Sequence, residues 1–163
     1  MFESEEREFS HFPLFIDLRN RKVAVIGGGN VAARRVETLI KFGAKVTVIA
    51  PQISEKIDEL YNLGKIEVIM REYRKSDILN AFIVIIATDN KEVNETATKD
   101  ARELNILMNR ADSKEDCDFF FPAVFSDRHI VGGIISKNGS NHNIVREKAK
   151  GIREYLNREE TKT

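Results

Sequence analysis

KVAVIGGGNVA, residues 22–32, decides the fold, because it joins an apolar run to three glycines and then to the start of an amphipathic stretch. Lys22–Ile26 reads as a buried β-strand, and Gly27 permits a tight turn after it. Gly29 lets a ligand approach the backbone, and Ala32 lets a helix pack closely on the strand. This strand–GxGxxA–helix order is the fingerprint of a dinucleotide-binding unit, whose helix start binds a pyrophosphate. A glycine-rich turn that binds nothing is the less favoured alternative.

Apolar runs and amphipathic stretches alternate around this motif. Further strands are predicted over residues 45–49, 66–70, 82–87 and 106–109, and helices over residues 31–42, 54–63 and 92–104. Most of these strands are apolar on both faces, as in a parallel sheet that helices cover on each side. The predicted fold class is therefore α/β, with a Rossmann doubly wound parallel sheet over residues 1–112.

The pattern changes after Asp112. A polar link leads into a predicted β-hairpin, with strands over residues 123–125 and 130–135, then a helix over residues 143–156 and a frayed charged tail. This second region, residues 113–163, carries more large apolar side chains than a two-stranded ribbon can bury. We expect a homodimer that covers them; the alternative is that the hairpin folds back on the sheet of its own chain.

The composition excludes several classes of protein. The 26 basic and 26 acidic residues cancel, so no charge excess indicates a nucleic-acid partner. The apolar runs are too short to span a membrane. A single cysteine, Cys117, excludes an internal disulfide and favours a reducing, cytoplasmic compartment. The three histidines are dispersed, so no metal site is predicted.

The second half of the dinucleotide fingerprint is missing. An acidic residue about 20 positions after the glycines normally binds the ribose hydroxyls, but here the second strand ends at Ala50-Pro51. We therefore expect backbone groups near Ala50 and Pro51, or Gln52, to bind the ribose. NAD is favoured over NADP, because no arginine at this point would accept a 2′-phosphate.

Two later strand ends supply further candidates, since ligands bind at the carboxyl ends of such strands. Thr88 is a predicted cofactor contact, whereas Asp89 and Asn90 are equally suited to binding and to capping the next helix. Asp112 is the candidate general base for the proton that leaves when a hydride passes to the cofactor. Without further information, a loop aspartate that only starts a turn is the better interpretation of Asp112.

Together these residues resemble the precorrin-2 dehydrogenase family, the dehydrogenase and chelatase module of siroheme synthases. The resemblance rests on motifs along most of the chain: residues 12–18, residues 25–32 with Arg34-Arg35, residues 48–51, residues 87–90 with Asn94, residues 109–112, residues 121–123, and Ile135-Ser136 with Gly139. The family shares the missing acid at the end of the second strand, so this gap supports the resemblance.

The resemblance implies NAD-dependent oxidation of precorrin-2 to sirohydrochlorin in siroheme or related porphyrin biosynthesis, by a homodimer, with Asp112 as the important aspartate. The expected cofactor contacts are Gly27, Gly28, Gly29, Asn30, Val31, Ala50, Pro51, Thr88 and Asp89. Precorrin-2 carries many carboxylates, so basic residues should line its cleft. The candidate substrate contacts are Arg34, Arg35, Arg110, Arg128, Ser136 and Lys137, with His129 and His142 as further candidate cations.

Two departures from the family pattern bear on the substrate site. Residues 137–142 differ from the usual loop, although Asn141 still suits a helix cap. The chain also reads as a short form without the C-terminal helical portion of longer members, which implies a more open site. Ferrochelatase activity in the same site and a non-catalytic NAD-sensing regulatory domain are the alternative functions.

Overall fold

The computed structural model describes residues 11–137 and 141–160, which form two units. The first unit comprises residues 17–120, and the second comprises the described residues 11–16 and 121–160. The boundary between the two units thus falls after Phe120, whereas the sequence predicts it after Asp112.

A five-stranded parallel sheet forms the first unit. Its strands are β1 (Lys22–Ile26), β2 (Lys45–Ile49), β3 (Glu67–Ile69), β4 (Ile83–Ile86) and β5 (Leu107–Arg110), in the spatial order β3-β2-β1-β4-β5. The connections from β1 run outward to β2 and β3, and those from β4 run the other way to β5. The predicted doubly wound Rossmann sheet is therefore confirmed, with its switch point between the carboxyl ends of β1 and β4.

Three helices connect these strands: α1 (Asn30–Lys41), α2 (Glu55–Asn62) and α3 (Lys91–Glu103). Alternate residues of the central strands point to opposite faces of the sheet, and both faces are buried. On one face, Ile26, Ile86 and Met108 pack with Ala97 and Ala101 of α3. The β-branched, fully apolar strands follow from this burial on both sides.

The second unit holds an antiparallel hairpin and a helix. Strands β6 (Ala123–Ser126) and β7 (Val131–Ile134) pair in register, and α4 (His142–Glu160) packs on β6. Gly132 lies against the ring of Phe125, where a Cβ would meet ring carbon Cζ at 2.2 Å. Arg153 of α4 donates to the Val124 carbonyl at 2.7 Å, which ties the helix to the hairpin.

Several predicted limits need correction. The β3 strand is shorter than residues 66–70, and a short 3₁₀ helix, Lys75–Ile78, lies in the crossover from β3 to β4 where no element was predicted. Helix α4 begins at His142 and reaches Glu160, so the frayed tail expected after Leu156 is wrong for residues 157–160. Asn141 accepts from the Ile144 N–H at 3.1 Å, so its predicted capping role is confirmed. Gly139 lies outside the described residues.

Candidate functional site

The glycine turn between β1 and α1 is shaped by two close backbone approaches. Gly27 has a φ of 116°, and a Cβ there would lie 2.3 Å from the Ala87 carbonyl oxygen. At Gly28 a Cβ would lie 2.2 Å from the carbonyl oxygen of Gln52. The Ser54 N–H donates to the Gly28 oxygen at 2.7 Å, so the loop after β2 closes over the turn. A side chain at either position would therefore strain the turn and destabilise the fold.

The third glycine faces open space. A Cβ on Gly29 would meet no atom within 4 Å, and Asn30 and Val31 are exposed. Gly29 is the N-cap of α1, no side chain caps the helix, and its first turn holds no acidic residue. The first N–H groups of a helix have no intrahelical partner and carry partial positive charge. This open, uncapped helix start fits a dinucleotide pyrophosphate.

Backbone hydrogen bonds align the residues that follow four strands. Ala111 donates to Ile86, Ala87 to Ile26, Gly27 to Ile49 and Ala50 to Ile69, at distances from 2.8 to 3.2 Å. The residues that come next in the chain, among them Gly28, Pro51, Thr88 and Asp112, therefore emerge along one edge of the sheet. Ligands bind at this edge in doubly wound folds, so the candidates that follow these strands lie where a shared ligand site is expected.

The turn after β4 divides its roles among neighbouring residues. Asn90 caps α3, because its Oδ1 accepts from the N–H groups of Glu92 and Val93 at 3.0 and 3.2 Å. Asp89 is exposed and stays a predicted cofactor contact. Thr88 is half-buried, and its hydroxyl donates to Asn94 Oδ1 at 2.7 Å.

A clamp of two side chains holds Asp112. Arg110 donates from Nε to Asp112 Oδ1 at 2.7 Å and from Nη2 to Oδ2 at 3.1 Å, a bidentate ion pair. Asn94 donates from Nδ2 to the same Oδ2 at 3.1 Å. These donors hold the pKa of Asp112 below its ordinary value, with the Arg110 hydrogen bonds as the largest cause. Asp112 is therefore an anchored, ionised group rather than a simple turn residue.

The predicted substrate contacts lie in different places. Arg34 is exposed on α1, and Arg35 beside it is half-buried, where burial lowers the pKa of its guanidinium. Arg128, Ser136 and Lys137 belong to the second unit, and the Ser136 hydroxyl accepts from the Asn141 N–H at 3.0 Å.

Sequence reasoning missed the structural roles of three residues at this site. Gly28 stands at a variable position of the motif, and its need for glycine depends on a loop 24 residues away in the chain. The sequence marks Asn94 only as part of a motif, yet the residue is 1% exposed and hydrogen-bonded to Asp112. Cys117 accepts from the Arg110 N–H through its sulfur at 3.2 Å and so holds the strand end that precedes Asp112. No local pattern signals these long-range contacts.

Candidate metal sites and membrane-spanning helices are both absent from the described parts of the chain. No group of three or more His, Cys, Asp or Glu residues there could hold a metal ion, and no helix there is both long and apolar enough to cross a membrane. A groove of about 470 Å³ opens near the amino ends of the strands, lined by residues such as Lys22 and Lys45. It lies at the edge of the sheet opposite to the glycine turn, so it is not the dinucleotide site.

Comparison with known sequences agrees with this geometry. One relative, from Ruminiclostridium josui, is described as a probable multifunctional siroheme biosynthesis protein HemA. It is 45% identical over 145 residues, which cover 89% of this chain and 28% of that protein. The siroheme synthase of Psychrobacter arcticus is 43% identical over 128 residues, covering 78% of this chain and 23% of the synthase. The chain thus spans about a quarter of the length of these curated relatives.

Comparison with solved structures and family models identifies the fold and the family. A structure described as SirC, precorrin-2 dehydrogenase, matches with a TM-score of 0.72 and 29% identity, over 89% of this chain and 71% of that one. A family model described as NAD(P)-binding matches residues 14–123, about two thirds of the chain. The chain therefore belongs to this NAD(P)-binding family, and its predicted resemblance to the precorrin-2 dehydrogenase module of siroheme synthases is confirmed.

Proposed function

We propose that this chain is an NAD-dependent dehydrogenase that oxidises precorrin-2 to sirohydrochlorin in siroheme biosynthesis. One observation carries the proposal: the clamped carboxylate of Asp112 emerges at the same sheet edge as the open glycine turn. A hydride acceptor and a proton acceptor at one edge are the two parts that such an oxidation needs. The likeness to a structure described as precorrin-2 dehydrogenase supports this choice of substrate.

NAD is the proposed cofactor, and when bound it supplies the hydride acceptor. The N–H groups at the start of α1 bind its pyrophosphate, and Gly29 leaves room for the approach. Backbone groups near Ala50 and Pro51 bind the ribose, because no carboxylate follows β2. Thr88 and Asp89 complete the cofactor contacts.

Asp112 is the proposed catalytic residue. The substrate loses one hydrogen as hydride, with two electrons, and a second hydrogen as a proton. Asp112 receives this proton and passes it to water, so that NAD⁺ and precorrin-2 give NADH, sirohydrochlorin and H⁺. The carboxylate is held in place by hydrogen bonds before substrate arrives, which avoids reorganisation during the reaction.

Basic residues are proposed to bind the substrate carboxylates. Arg34 is exposed one turn into α1, directly after the glycine turn. Arg35, Arg128 and Lys137 are further candidates, with Ser136 as a neutral one. Substitution of each, followed by measurement of KM for precorrin-2, distinguishes contacts from bystanders, since a lost contact raises KM more than it lowers kcat.

A homodimer is proposed through the second unit. Large apolar side chains of this unit are strongly exposed in the single chain: Phe12, Leu14 and Phe15 at 70% or more, and Ile130, Val131, Ile144 and Tyr155 between 45% and 64%. Exposed apolar surface of this kind favours association. Sedimentation equilibrium tests the proposal, and a monomer at all concentrations would contradict it.

The deciding experiment for the function mixes the purified chain with precorrin-2 and NAD⁺ without oxygen. The visible spectrum and NADH formation should change together, faster than the spontaneous oxidation. Asp112→Ala should abolish turnover and leave NAD binding intact. Asp58→Ala is the matched control, because Asp58 is an exposed aspartate on α2 that is not among the predicted site residues.

The same assay separates the alternative functions. Binding of NAD without turnover would favour a regulatory domain, and insertion of iron into sirohydrochlorin without NAD would favour a chelatase. Either result without NADH formation contradicts the proposed dehydrogenase. The cytoplasmic location expected from the single cysteine stays a prediction.

A further inference from the structure

A buried amide joins Asp112 to the turn after β4. Asn94 Nδ2 donates to Asp112 Oδ2 at 3.1 Å and to the Thr88 carbonyl oxygen at 3.0 Å. Its Oδ1 accepts from the Thr88 hydroxyl at 2.7 Å. One side chain of α3 therefore connects the predicted cofactor contact Thr88 with the carboxylate.

The kinds of partner set the orientation of the Asn94 amide. Its nitrogen faces two acceptors, the Thr88 carbonyl and the Asp112 carboxylate, and its oxygen faces a hydroxyl donor. Rotating the amide by half a turn would place its oxygen against both acceptors. Asn94 is 1% exposed, so water cannot take over these bonds. Asn94 thus offers Asp112 a donor of fixed direction.

Each guanidinium nitrogen of Arg110 donates to a carboxylate of its own chain. Its Nε and Nη2 donate to Asp112, and its Nη1 donates to Asp116 Oδ2 at 3.2 Å. Only 9% of its side chain is exposed. Each of the three guanidinium nitrogens therefore already has a partner, which disfavours a direct role in binding substrate.

We infer that Asn94 and Arg110 are positioning residues that fix the direction of the Asp112 carboxylate, and that Arg110 acts through Asp112 rather than by binding substrate. The inference rests on the proposed function, in which Asp112 is the group beside the substrate. The Arg110 hydrogen bonds, and after them the Asn94 hydrogen bond, lower the pKa of Asp112. This weakens Asp112 as a base but keeps a negative charge in place where positive charge develops as hydride leaves.

Among the described residues, four charged side chains act at or next to Asp112. Arg110 of β5 is the charged group in contact with Asp112, and Asp116 lies on the far side of its guanidinium. Arg102 of α3 binds Asp116 at 2.7 Å, and Glu95 of α3 acts on Arg110 through its charge. Arg102 and Arg110 thus share Asp116, and Arg110 also pairs with Asp112.

Asn94→Asp tests the inference with little change in size. A second carboxylate would face Asp112 Oδ2 in place of a donor, and two such carboxylates retain a shared proton to higher pH. We expect the titration midpoint of the Asp112 carboxyl, followed by ¹³C NMR, to rise by at least one pH unit. The acid limb of kcat should move in the same direction, with KM for NAD unchanged within twofold.

Asn62→Asp is the matched control. Asn62 donates to Asp58 Oδ2 at 3.0 Å on exposed α2, the same pair of groups outside the edge. The control should leave both the Asp112 titration and the kcat profile unchanged. Arg110→Lys and Arg110→Gln provide a second series if Asn94→Asp does not fold: kcat should fall about tenfold or more, with lysine retaining more activity than glutamine.

The two proposals fail in distinguishable ways. If the unsubstituted chain does not oxidise precorrin-2, the proposed function is wrong, while the NMR titration still tests the clamp. If Asp112 titrates at or above the ordinary aspartate value of about 3.9, the positioning inference is overturned. It is also overturned if Asn94→Asp or the Arg110 variants lower stability alone and leave the titration and the pH profile of kcat unchanged.

Discussion

Substituting Gly28 and Gly29 by alanine, one at a time, should separate folding of the turn from binding of the cofactor. A Cβ on Gly28 would lie 2.2 Å from the Gln52 carbonyl oxygen and 3.0 Å from the Cβ of Ala50. These neighbours are backbone and a buried core residue, which cannot shift away from the added Cβ without a cost in free energy. At Gly29 the φ of −81° suits alanine, and no atom lies within 4 Å of the added carbon.

The expected magnitudes follow from these contacts. Overpacking at Gly28 should lower the free energy of unfolding by about 1–3 kcal/mol. In a chain of this size about 1 kcal/mol moves Tm by roughly 2–4 °C, so Gly28→Ala should lower Tm by about 5 °C. At Gly29, alanine reduces the entropy of the unfolded chain but is a poorer N-cap, and these effects of about 0.5–1 kcal/mol oppose each other. Gly29→Ala should therefore leave Tm unchanged within about 2 °C.

Gly29→Ala, the variant expected to keep its Tm, should instead be the one that binds the cofactor poorly. The Cβ of Gly29→Ala would fill space through which the pyrophosphate approaches, and we expect the Kd for NAD to rise at least about tenfold, or about 1.4 kcal/mol. Thermal melts without cofactor and calorimetric titration with NAD measure the two effects. Unchanged NAD affinity in Gly29→Ala would refute the pyrophosphate assignment. An unchanged Tm in Gly28→Ala would show that the loop after β2 yields.

Three further predictions concern stability. Asn90→Ala removes the acceptor that caps α3 and should cost about 1 kcal/mol in the free energy of unfolding, measured by urea denaturation. Arg71 lowers the pKa of Asp77, whose side chain is 4% exposed. Their ion pair therefore stabilises the fold fully above about pH 4, where the aspartate of the unfolded chain is ionised. This contribution is lost as the pH falls through the lowered pKa of Asp77 in the folded chain. Arg71→Gln should therefore flatten the acid side of the stability profile, and an unchanged slope would contradict this origin. Cys117→Ala leaves the Arg110 N–H without its sulfur acceptor and should cost about 1 kcal/mol; a variant as stable as the original chain would show that this bond contributes nothing.

The sheet was predictable because burial on both faces leaves a strong signal in each strand. β1 and β2 have the limits that their apolar runs predict, since the runs are bounded by charged residues or turns. The 3₁₀ helix at Lys75–Ile78 was not predictable in the same way. Four residues cannot show a helical period, and Ile78 is the one apolar residue among them.

The site was predictable as a place but not as a set of contacts. Parallel strands bring their carboxyl ends to one edge, so Gly27, Thr88 and Asp112 could be assigned to a common site from topology alone. The partner of Asp112 depends on side-chain directions, and Arg110 and Asn94 come from two different elements. Sequence spacing therefore suggested a substrate-binding role for Arg110, whereas its bonds support a positioning role.

The missing acid after β2 has a structural reason. Ala50 is 3% exposed, and the loop from Ala50 to Ile53 packs on Gly28, where an added Cβ would lie 3.0 Å from the Cβ of Ala50. A carboxylate at position 50 would be buried without a partner, which is costly. The exposed Pro51 and Gln52 and the backbone around them are what this loop leaves for the ribose. The same loop packs on Gly28 and disfavours a side chain there, so the apolar end of β2 and the middle glycine of the turn belong to one contact.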